Sequence, residues 1–353
     1  MSIPSALQQL GWRNFHTQQL TLEDLEAYEP ARIASVHRSG VAALNEQGHV
    51  DLVVPREMQR DGVAAVLTVG DWVLVERGTP RLRRRLERFS AVVRLAAGSD
   101  TQPQAIAANL DTLFVVTSCN HDFNPSRLER YMAVALDAGV TAVIVLTKAD
   151  LCDDPGDYVH RAAGSAPRAE VVALNATEPS DCRLLEPWLG AGRTVAFVGS
   201  SGVGKSTLVN ALTGADRQAT AAIREDDSRG RHTTTARQLI PMPGGAWLID
   251  TPGMRELKLG PVESGVDSAF DDVTTLASEC RFRDCAHMDD EGCALRAAVA
   301  DARLDARRLD SYLKLQREAA RAARALHERR GAERRIGKLY KAIQQRRRED
   351  RER

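Results

Sequence analysis

The chain has 353 residues, 43% of them hydrophobic, which exceeds the roughly 100 to 200 residues of one domain and predicts two or three packed domains. Its formal net charge is zero, but residues 301–353 hold 18 basic and 9 acidic side chains, so a tail of +9 balances a body of −9. Such a tail often binds polyanions, and a solvated helical face is the alternative. No run approaches the ~20 apolar residues of a membrane span, and residues 1–20 lack an apolar signal core, which excludes a membrane protein and predicts a cytoplasmic one.

Residues 31–97 alternate short apolar runs with turn signals, as in HVDLVVP and AAVLTVGDWVLVERG. Strands at this spacing predict a small β-barrel, with Gly70 and Asp71 forming the turn before a strand that begins at Trp72. A five-stranded OB-type barrel fits, although periodicity alone does not separate it from an SH3-like barrel. We therefore predict an N-terminal segment and OB-fold domain over residues 1–97.

From about residue 105 the pattern changes to alternating strands and helices. The apolar strands include DTLFVVTS, AVIVLT and TVAFVG. Near-continuous apolar strands indicate a parallel sheet covered by helices on both faces. The helices are predicted near residues 125–138, 155–163 and 180–189. Residues 98–262 are therefore predicted to form an α/β domain, and residues 263–353, rich in Ala, Leu, Arg and Glu, a helical C-terminal domain with a basic tail.

A phosphate-binding loop follows the strand TVAFVG. The stretch GSSGVGKST contains the pattern GxxxxGK[ST] between a predicted strand and a predicted helix, the context that this motif requires. Its glycines let backbone N–H groups converge on phosphate oxygens, while Lys205 reaches the β- and γ-phosphates and Ser206 binds Mg²⁺. A chance glycine-rich loop is the alternative, which the agreement of strand, loop and helix disfavours. The predicted nucleotide-binding residues of this loop are Gly199, Ser200, Ser201, Gly202, Val203, Gly204, Lys205, Ser206 and Thr207.

A carboxylate at the end of a neighbouring strand completes such a site, and WLIDTPG supplies one. Asp250 is predicted to hold Mg²⁺ through water, and the Gly253 N–H to contact the γ-phosphate. Between the two motifs lies GRHTTT, with threonines at positions 233 to 235. One of them, taken as Thr234, is predicted to close over the magnesium when the γ-phosphate is present. A plain polar turn is the alternative.

A base-reading element precedes the phosphate loop in the chain. Thr147, Lys148, Ala149 and Asp150 end the strand AVIVLT and resemble the guanine-reading NKxD signature of GTPases. The Asp150 carboxylate accepts two hydrogen bonds from guanine, a pair of donors that adenine does not present. Lys148 is predicted to lie along the base and brace the phosphate loop, and VVALNAT is the candidate base-backing loop. Thr147 stands where most GTPases have Asn, so it keeps a hydroxyl but loses the amide.

The order of these motifs predicts a circular permutation. A doubly wound sheet tolerates base-reading elements before the phosphate loop if the original termini are joined and the chain is cut between DTPG and TKAD, because every strand keeps its neighbours. The site itself is unchanged. The sequence therefore predicts a P-loop GTPase domain that binds GTP and GDP, with its motifs in permuted order.

Three cysteines and one histidine lie within fourteen residues of the C-terminal part. The predicted ligands are Cys280, Cys285, His287 and Cys293. Three thiolates and one imidazole suffice for a closed tetrahedral Zn²⁺ site, and four protein ligands leave no open position for water. Four unlinked reduced residues are the alternative, which the clustering disfavours. One structural zinc ion is therefore predicted.

The motifs VGDWV, GRHTTT, DTPGMRE and CRFRDCAH, with the permuted order, resemble those of the ribosome small-subunit-dependent GTPase A family, the bacterial circularly permuted ribosome-assembly GTPases. The resemblance covers residues from about 30 to 320. It implies GTP hydrolysis stimulated by the 30S subunit, an OB domain and a zinc domain that contact 16S rRNA, and a role in late 30S maturation. We expect a monomer.

The residue after DTPG bears on the rate of hydrolysis. Ras-like enzymes place Gln there to orient the attacking water, whereas this chain has Met254. We therefore predict slow intrinsic turnover, with His232 as the residue that positions water and Arg231 as the alternative, a charge stabiliser.

Two rival functions remain. One is an ATP-using P-loop enzyme, if Asp150 does not face the base, and the other is an RNA-binding assembly factor in which nucleotide mainly sets affinity.

Overall fold

The structure is a computed structural model. It describes residues 5–37, 40–59, 63–95, 103–214, 237–250, 262–288 and 290–349. None of the helices in these ranges combines the length and the apolar character that crossing a membrane requires.

The N-terminal part contains five short helices and five strands within its described residues. The helices are α1 (Ser5–Gln9), α2 (Asn14–Thr17), α3 (Leu22–Ala27), α4 (Arg56–Gln59) and α5 (Val63–Val66). The strands are β1 (Tyr28–Val36), β2 (Val41–Asn45), β3 (Gly48–Leu52), β4 (Trp72–Glu76) and β5 (Leu82–Arg85).

These strands close into a barrel. Strand β1 pairs antiparallel with both β2 and β4, while β2 pairs with β3 and β4 pairs with β5. A parallel bridge between Val53 and Arg81 joins the two remaining ends, with the Val53 N–H donating to the Pro80 carbonyl at 2.8 Å. Gly70 adopts a φ of 88° in the predicted turn before β4. The closure confirms the predicted OB-type barrel.

A separate hairpin follows the barrel. Strands β6 (Ala91–Leu95) and β7 (Pro103–Ala108) pair antiparallel with each other in a two-stranded sheet. The run LRRRLERFSAVVRL therefore divides into β5 and β6. The Ala108 N–H donates to the Val69 carbonyl at 3.0 Å, which fixes the hairpin to the turn before β4.

The central part alternates strands and helices, as predicted. The strands are β8 (Thr112–Ser118), β9 (Thr141–Thr147), β10 (Glu170–Ala173), β11 (Thr194–Val198), β12 (Arg237–Pro241) and β13 (Trp247–Asp250). The helices are α6 (Pro125–Asp137), α7 (Pro155–Ser165), α8 (Pro179–Cys182) and α9 (Lys205–Thr213). Short 3-10 helices span Ala149–Leu151, Arg183–Trp188 and Pro243–Gly245. The helix predicted near 180–189 is present as two short consecutive pieces, α8 and the 3-10 helix Arg183–Trp188, which contains Pro187.

The strand order is β10-β9-β8-β11-β13-β12, and every neighbouring pair is parallel except β12 with β13. The sheet does not stop at β12. Ser35 pairs with Gln238 and Val36 with Arg237, so β12 continues into β1 of the barrel and eleven of the described strands form one sheet. The phosphate-loop strand β11 lies between β8 and β13, which places the ends of all three strands side by side.

A buried arginine lies at the junction between barrel and α/β part. Arg32 of β1 is 1% exposed, and its guanidinium donates to the Leu10 carbonyl at 2.5 Å and to the Thr194 hydroxyl at 2.7 Å. Burial lowers the pKa of Arg32 to about 10, which leaves it charged at neutral pH. It therefore ties the N-terminal segment, the barrel and β11 together.

The C-terminal part is helical, with α10 (Glu263–Ala269), α11 (Asp271–Ala277), α12 (Ala294–Ala300) and α13 (Ala306–Glu349). Glu129 of α6 is fully buried and pairs with Arg307 at 3.1 Å and Arg308 at 3.2 Å. Arg308 also donates to both Asp272 oxygens, at 2.6 and 2.7 Å. One buried ion network thus fixes the last helix to α6 and α11.

Candidate nucleotide site and metal centre

The phosphate loop lies between β11 and α9, as its sequence requires. Gly199, Gly202 and Gly204 all have positive φ, at 143°, 78° and 89°, which a side chain rarely tolerates. A Cβ on Gly199 would also lie 2.1 Å from the Val116 carbonyl oxygen. Lys205 begins α9 and its ammonium donates to the Gly199 carbonyl at 2.9 Å and to the Ser200 carbonyl. The loop therefore has the strand, glycine conformations and helix start of a phosphate cradle.

The TKAD segment contacts this loop directly. Thr147 is fully buried at the end of β9, and its hydroxyl lies 2.6 Å from the Val203 carbonyl and 3.1 Å from the Thr117 carbonyl. Lys148 has a left-handed φ of 57°, and its ammonium donates to the Gly202 carbonyl at 2.9 Å. Two residues of the predicted base-reading element thus bind two consecutive residues of the phosphate loop.

The remaining base-side residues lie at the neighbouring strand end. The Ala149 N–H donates to the Leu174 carbonyl at 3.4 Å, which places TKAD against the segment VVALNAT. Asp150 is exposed in the 3-10 helix, whereas Leu174 is 1% exposed. The Asp150 carboxylate is therefore open to solvent, next to a segment that the buried Leu174 anchors.

The loop that leads into α6 brings a further cation to the phosphate loop. Asn124 caps α6, and Arg127 in its first turn pairs with both oxygens of Asp122 at 3.1 Å. The same Arg127 guanidinium also contacts the Ser200 hydroxyl. Sequence reasoning missed this residue, because nothing in the helical pattern of α6 indicates that its first turn reaches a loop more than seventy residues away.

The predicted metal ligands come together. One ligand atom from each of Cys280, Cys285, His287 and Cys293 lies within 4.8 Å of the others. The His287 Nδ1 is 3.6 Å from the Cys280 Sγ and 3.7 Å from the Cys293 Sγ. Tetrahedral zinc with the usual bond lengths separates sulfur from nitrogen by about 3.6 Å. Donor set and spacing therefore fit Zn²⁺, with His287 held at a φ of 58°.

Thiol crowding is the main electrostatic feature of this centre. Burial raises the pKa of Cys285 to about 12, helped by hydrogen bonds with Cys293 and Cys280. A thiol with that pKa is protonated at neutral pH, and coordination to a divalent cation removes the proton. Binding of a divalent cation at this cluster therefore has to displace the Cys285 proton.

Comparison with known proteins places the whole chain. A family model described as RsgA GTPase matches residues 85–260. The small ribosomal subunit biogenesis GTPase RsgA 2 of Vibrio vulnificus (strain CMCP6) is 48% identical over 343 residues, covering 97% of this chain and 96% of that relative. The chain belongs to the RsgA GTPase family. It is therefore a GTP hydrolase, and the resemblance read from its motifs is confirmed.

Solved structures share the RsgA-type fold. YjeQ from Thermotoga maritima has a TM-score of 0.60 at 22% identity, covering 83% of this chain and 99% of that chain. YloQ, a circularly permuted GTPase, has a TM-score of 0.58 at 24% identity, covering 83% of this chain and 95% of its own. The permuted order, with TKAD before the phosphate loop in one sheet, is thus confirmed as a property of the fold.

Of the other predicted residues of the nucleotide site, some lie within the described ranges and some lie outside them. Asp250 ends β13 and is exposed, beside the strand of the phosphate loop. Ser206 and Thr207 are exposed in the first turn of α9. The residues outside the description are Arg231, His232, Thr234, Gly253 and Met254. Their roles stay predictions.

Proposed function

We propose that this chain hydrolyses GTP to GDP and phosphate on the small ribosomal subunit and assists late 30S maturation. The relatives it matches are named small ribosomal subunit biogenesis GTPases. The observation that carries the nucleotide part is the contact between TKAD and the phosphate loop, Thr147 with Val203 and Lys148 with Gly202. Base reading and phosphate binding are thereby coupled in one rigid corner of the sheet.

The roles at this corner follow from position and chemistry. Lys205 binds the β- and γ-phosphates, and Asp150 accepts hydrogen bonds from guanine. The Ser206 and Thr234 hydroxyls hold Mg²⁺, with Asp250 binding it through water. Bound Mg²⁺ neutralises charge on the β- and γ-phosphates. The other residues of the site are the TKAD residues Thr147, Lys148 and Ala149, the loop residues 199–204, Thr207 beside Ser206, and Gly253 at the γ-phosphate.

Base selection is tested by changing the carboxylate. Asp150→Asn replaces two acceptor oxygens with an amide that donates where Asp150 accepts, and xanthine carries a carbonyl oxygen where guanine carries an amino group. We expect Asp150→Asn to lose GTP affinity at least ~100-fold and to gain affinity for xanthosine triphosphate. Asp153→Asn, three residues beyond, is the matched control. Equal affinity of the wild type for GTP and ATP would instead support the ATP-using alternative.

Ribosome dependence is tested by measuring turnover with and without purified 30S subunits. We expect a slow basal rate that rises on addition of 30S subunits, since Met254 cannot orient water. His232→Ala should remove most of that rise. An equal 30S-stimulated rate in His232→Ala would remove His232 from the mechanism, and no stimulation of the wild type would favour an RNA-binding factor in which nucleotide mainly sets affinity.

The flanking parts are proposed to contact 16S rRNA. In the barrel, Arg83 on β5 and Arg81 just before it are exposed. In the segment that holds the Cys/His cluster, Phe282 is 49% exposed and the Arg281 guanidinium lies 5.3 Å from its ring centre. Cations next to an exposed ring suit a phosphate backbone with unstacked bases. The proposed domains are an N-terminal segment and OB domain over 1–97, a GTPase domain over 98–262, and a zinc domain with a basic helical tail over 263–353. The protein is proposed to be a cytoplasmic monomer with one structural zinc ion.

A further inference from the structure

The first turn of α6 places a second cation at the phosphate loop. Arg127 contacts the Ser200 hydroxyl, while the Lys205 ammonium contacts the Ser200 carbonyl. Both side chains therefore meet at one residue of the loop that is proposed to hold the nucleotide phosphates. Arg127 remains 36% exposed, so its guanidinium is accessible to a ligand in the loop.

Arg127 has two kinds of partner within reach. Its Nη1 lies 3.1 Å from each Asp122 carboxylate oxygen and also contacts Ser200. Asp122 itself is held by its N–H, which donates to the Asn120 side chain at 2.9 Å. A guanidinium offers five donors in a planar fork, so it can keep Asp122 while it binds a phosphate oxygen with other N–H groups.

We propose that Arg127 is a second phosphate-binding cation of this site, which binds the terminal phosphate of GTP and stabilises the charge that develops during hydrolysis. The inference rests on the proposed nucleotide site. In the reaction a water oxygen forms a bond to the γ-phosphorus, the bond from the γ-phosphorus to the bridging oxygen breaks, and that oxygen leaves with GDP. The water protons pass to the phosphate product and to solvent. A guanidinium beside the γ-phosphate offsets negative charge throughout this displacement.

A second cation at the γ-phosphate also matters because this chain lacks the Gln that assists hydrolysis in Ras-like enzymes. Met254 occupies the position of the water-orienting Gln, so the chain lacks that side chain to assist hydrolysis. In GTPases an arginine supplied within the chain or by a partner contributes transition-state charge stabilisation. Arg127 is supplied by α6, a helix of thirteen residues that is fixed on its other side to α13 through Glu129. Its backbone is therefore held firmly next to the loop.

The test measures basal GTPase kinetics and nucleotide affinity, without ribosomal subunits, for the full chain and two variants. Arg127→Gln should lower kcat about 10- to 100-fold, the range for loss of one charge-assisted hydrogen bond, and should weaken binding of GDP with aluminium fluoride. Affinity for GDP alone should stay unchanged, because GDP has no γ-phosphate. Asp122→Asn should leave kcat unchanged, because the guanidinium binds the γ-phosphate with N–H groups that Asp122 does not occupy.

A structural role makes a different prediction. If Arg127 only holds the loop through its ion pair, Arg127→Gln and Asp122→Asn would both lower GDP and GTP affinity in parallel, and the inference would be overturned. Arg130→Gln is the matched control, since Arg130 lies on the same helix and pairs with Glu318 at 2.6 Å. We expect its basal kinetics to equal the wild type.

The same measurements separate this inference from the proposed function. Wild-type protein that binds no GTP would refute the nucleotide site itself. Wild-type protein that hydrolyses GTP, with Arg127→Gln equal to it in kcat, would refute only the role of Arg127.

Discussion

The two ends of the chain are fixed to the α/β domain by different buried contacts, although an ion pair contributes at both, Arg13 with Asp111 at the N-terminal end. At the N-terminal junction, the direct partners of the buried Arg32 are neutral carbonyl and hydroxyl oxygens. Next to it His16 is buried among aromatic rings, 5.6 Å from Trp72. At the C-terminal junction, buried charges face each other, with Glu129 between Arg307 and Arg308.

This difference indicates the perturbation to which each end should be sensitive. The neutral His16 imidazole at the N-terminal junction is sensitive to protonation, because it is buried and the neighbouring Arg32 and Arg13 charges disfavour a further positive charge. The C-terminal junction is sensitive to removal of Glu129, because the buried Arg308 then keeps only Asp272 as a carboxylate partner. The C-terminal end also carries the metal cluster, which the N-terminal end lacks among its described residues.

Metal removal should give the largest effect, and only at the C-terminal end. Structural zinc sites supply on the order of 10 kcal/mol of binding free energy that holds the loop folded. We expect Cys285→Ala to lose the bound zinc and to make residues 278–293 sensitive to protease, with the barrel unaffected. Zinc content and limited proteolysis measure this. Cys152→Ser is the control and should retain one zinc ion per chain; full protection of the loop in Cys285→Ala would contradict the structural role.

Breaking the buried ion network should have the next largest effect. Burial works against the Arg308 charge, but hydrogen bonds and charges from Asp272 and Glu129 outweigh it and raise the pKa of Arg308. We expect Glu129→Gln to lower the free energy of unfolding of the C-terminal helices by about 2–3 kcal/mol, because Arg308 loses one charged hydrogen-bond partner and keeps Asp272. Urea unfolding with hydrogen exchange of residues 306–328 checks it. A loss below about 1 kcal/mol would show that the pair is not essential.

Acid should act on the N-terminal end. Burial lowers the pKa of His16 from 6.5 to about 4, with the Arg32 and Arg13 charges acting in the same direction. Because the unfolded chain binds the proton more readily, this stabilisation is complete above pH 6.5 and is lost as pH falls toward 4. Between pH 7 and 5 the loss should be about 2 kcal/mol.

Urea unfolding of the barrel at these two pH values measures that loss. His16→Asn keeps an acceptor near the Arg13 N–H, which now donates to the His16 Nδ1 at 3.1 Å, but cannot titrate. It should be less stable at pH 7 and should lose the pH dependence. If the free energy of unfolding of His16→Asn falls between pH 7 and 5 as much as that of the wild type, the acid sensitivity comes from other groups.

The smallest effect is expected for a surface pair at the C-terminal junction. Arg168 and Asp271 lie 2.8 Å apart but are 51% and 47% exposed, so solvent screens their attraction. Arg168→Ala should change the free energy of unfolding by less than about 1 kcal/mol. A loss comparable to that of Glu129→Gln, in the same urea titration, would show that burial does not distinguish the two pairs.

Local patterns of residues predicted the phosphate loop and the zinc ligands, because each is built from one short segment whose spacing determines its geometry. The contact of Thr147 with Val203 joins residues 56 apart, whereas the sequence predicted only that Lys148 braces the phosphate loop and that Thr147 keeps a hydroxyl. Long-range partners escaped prediction. Neither Arg127 with Ser200 nor Glu129 with Arg308 is visible in the sequence, since a polar residue on a helix carries no sign of its partner. The choice between barrel types likewise depended on the Val53–Arg81 bridge.

The ladder between β1 and β12 has a mechanical consequence. Barrel and α/β part belong to one sheet, in which Ser35 lies opposite Gln238 and Val36 opposite Arg237. A force applied to the barrel therefore acts on β12 through this ladder. The strand after β12 is β13, which ends at Asp250. Two strands of one continuous sheet thus connect the barrel with the strand end at Asp250, where the proposed nucleotide site lies.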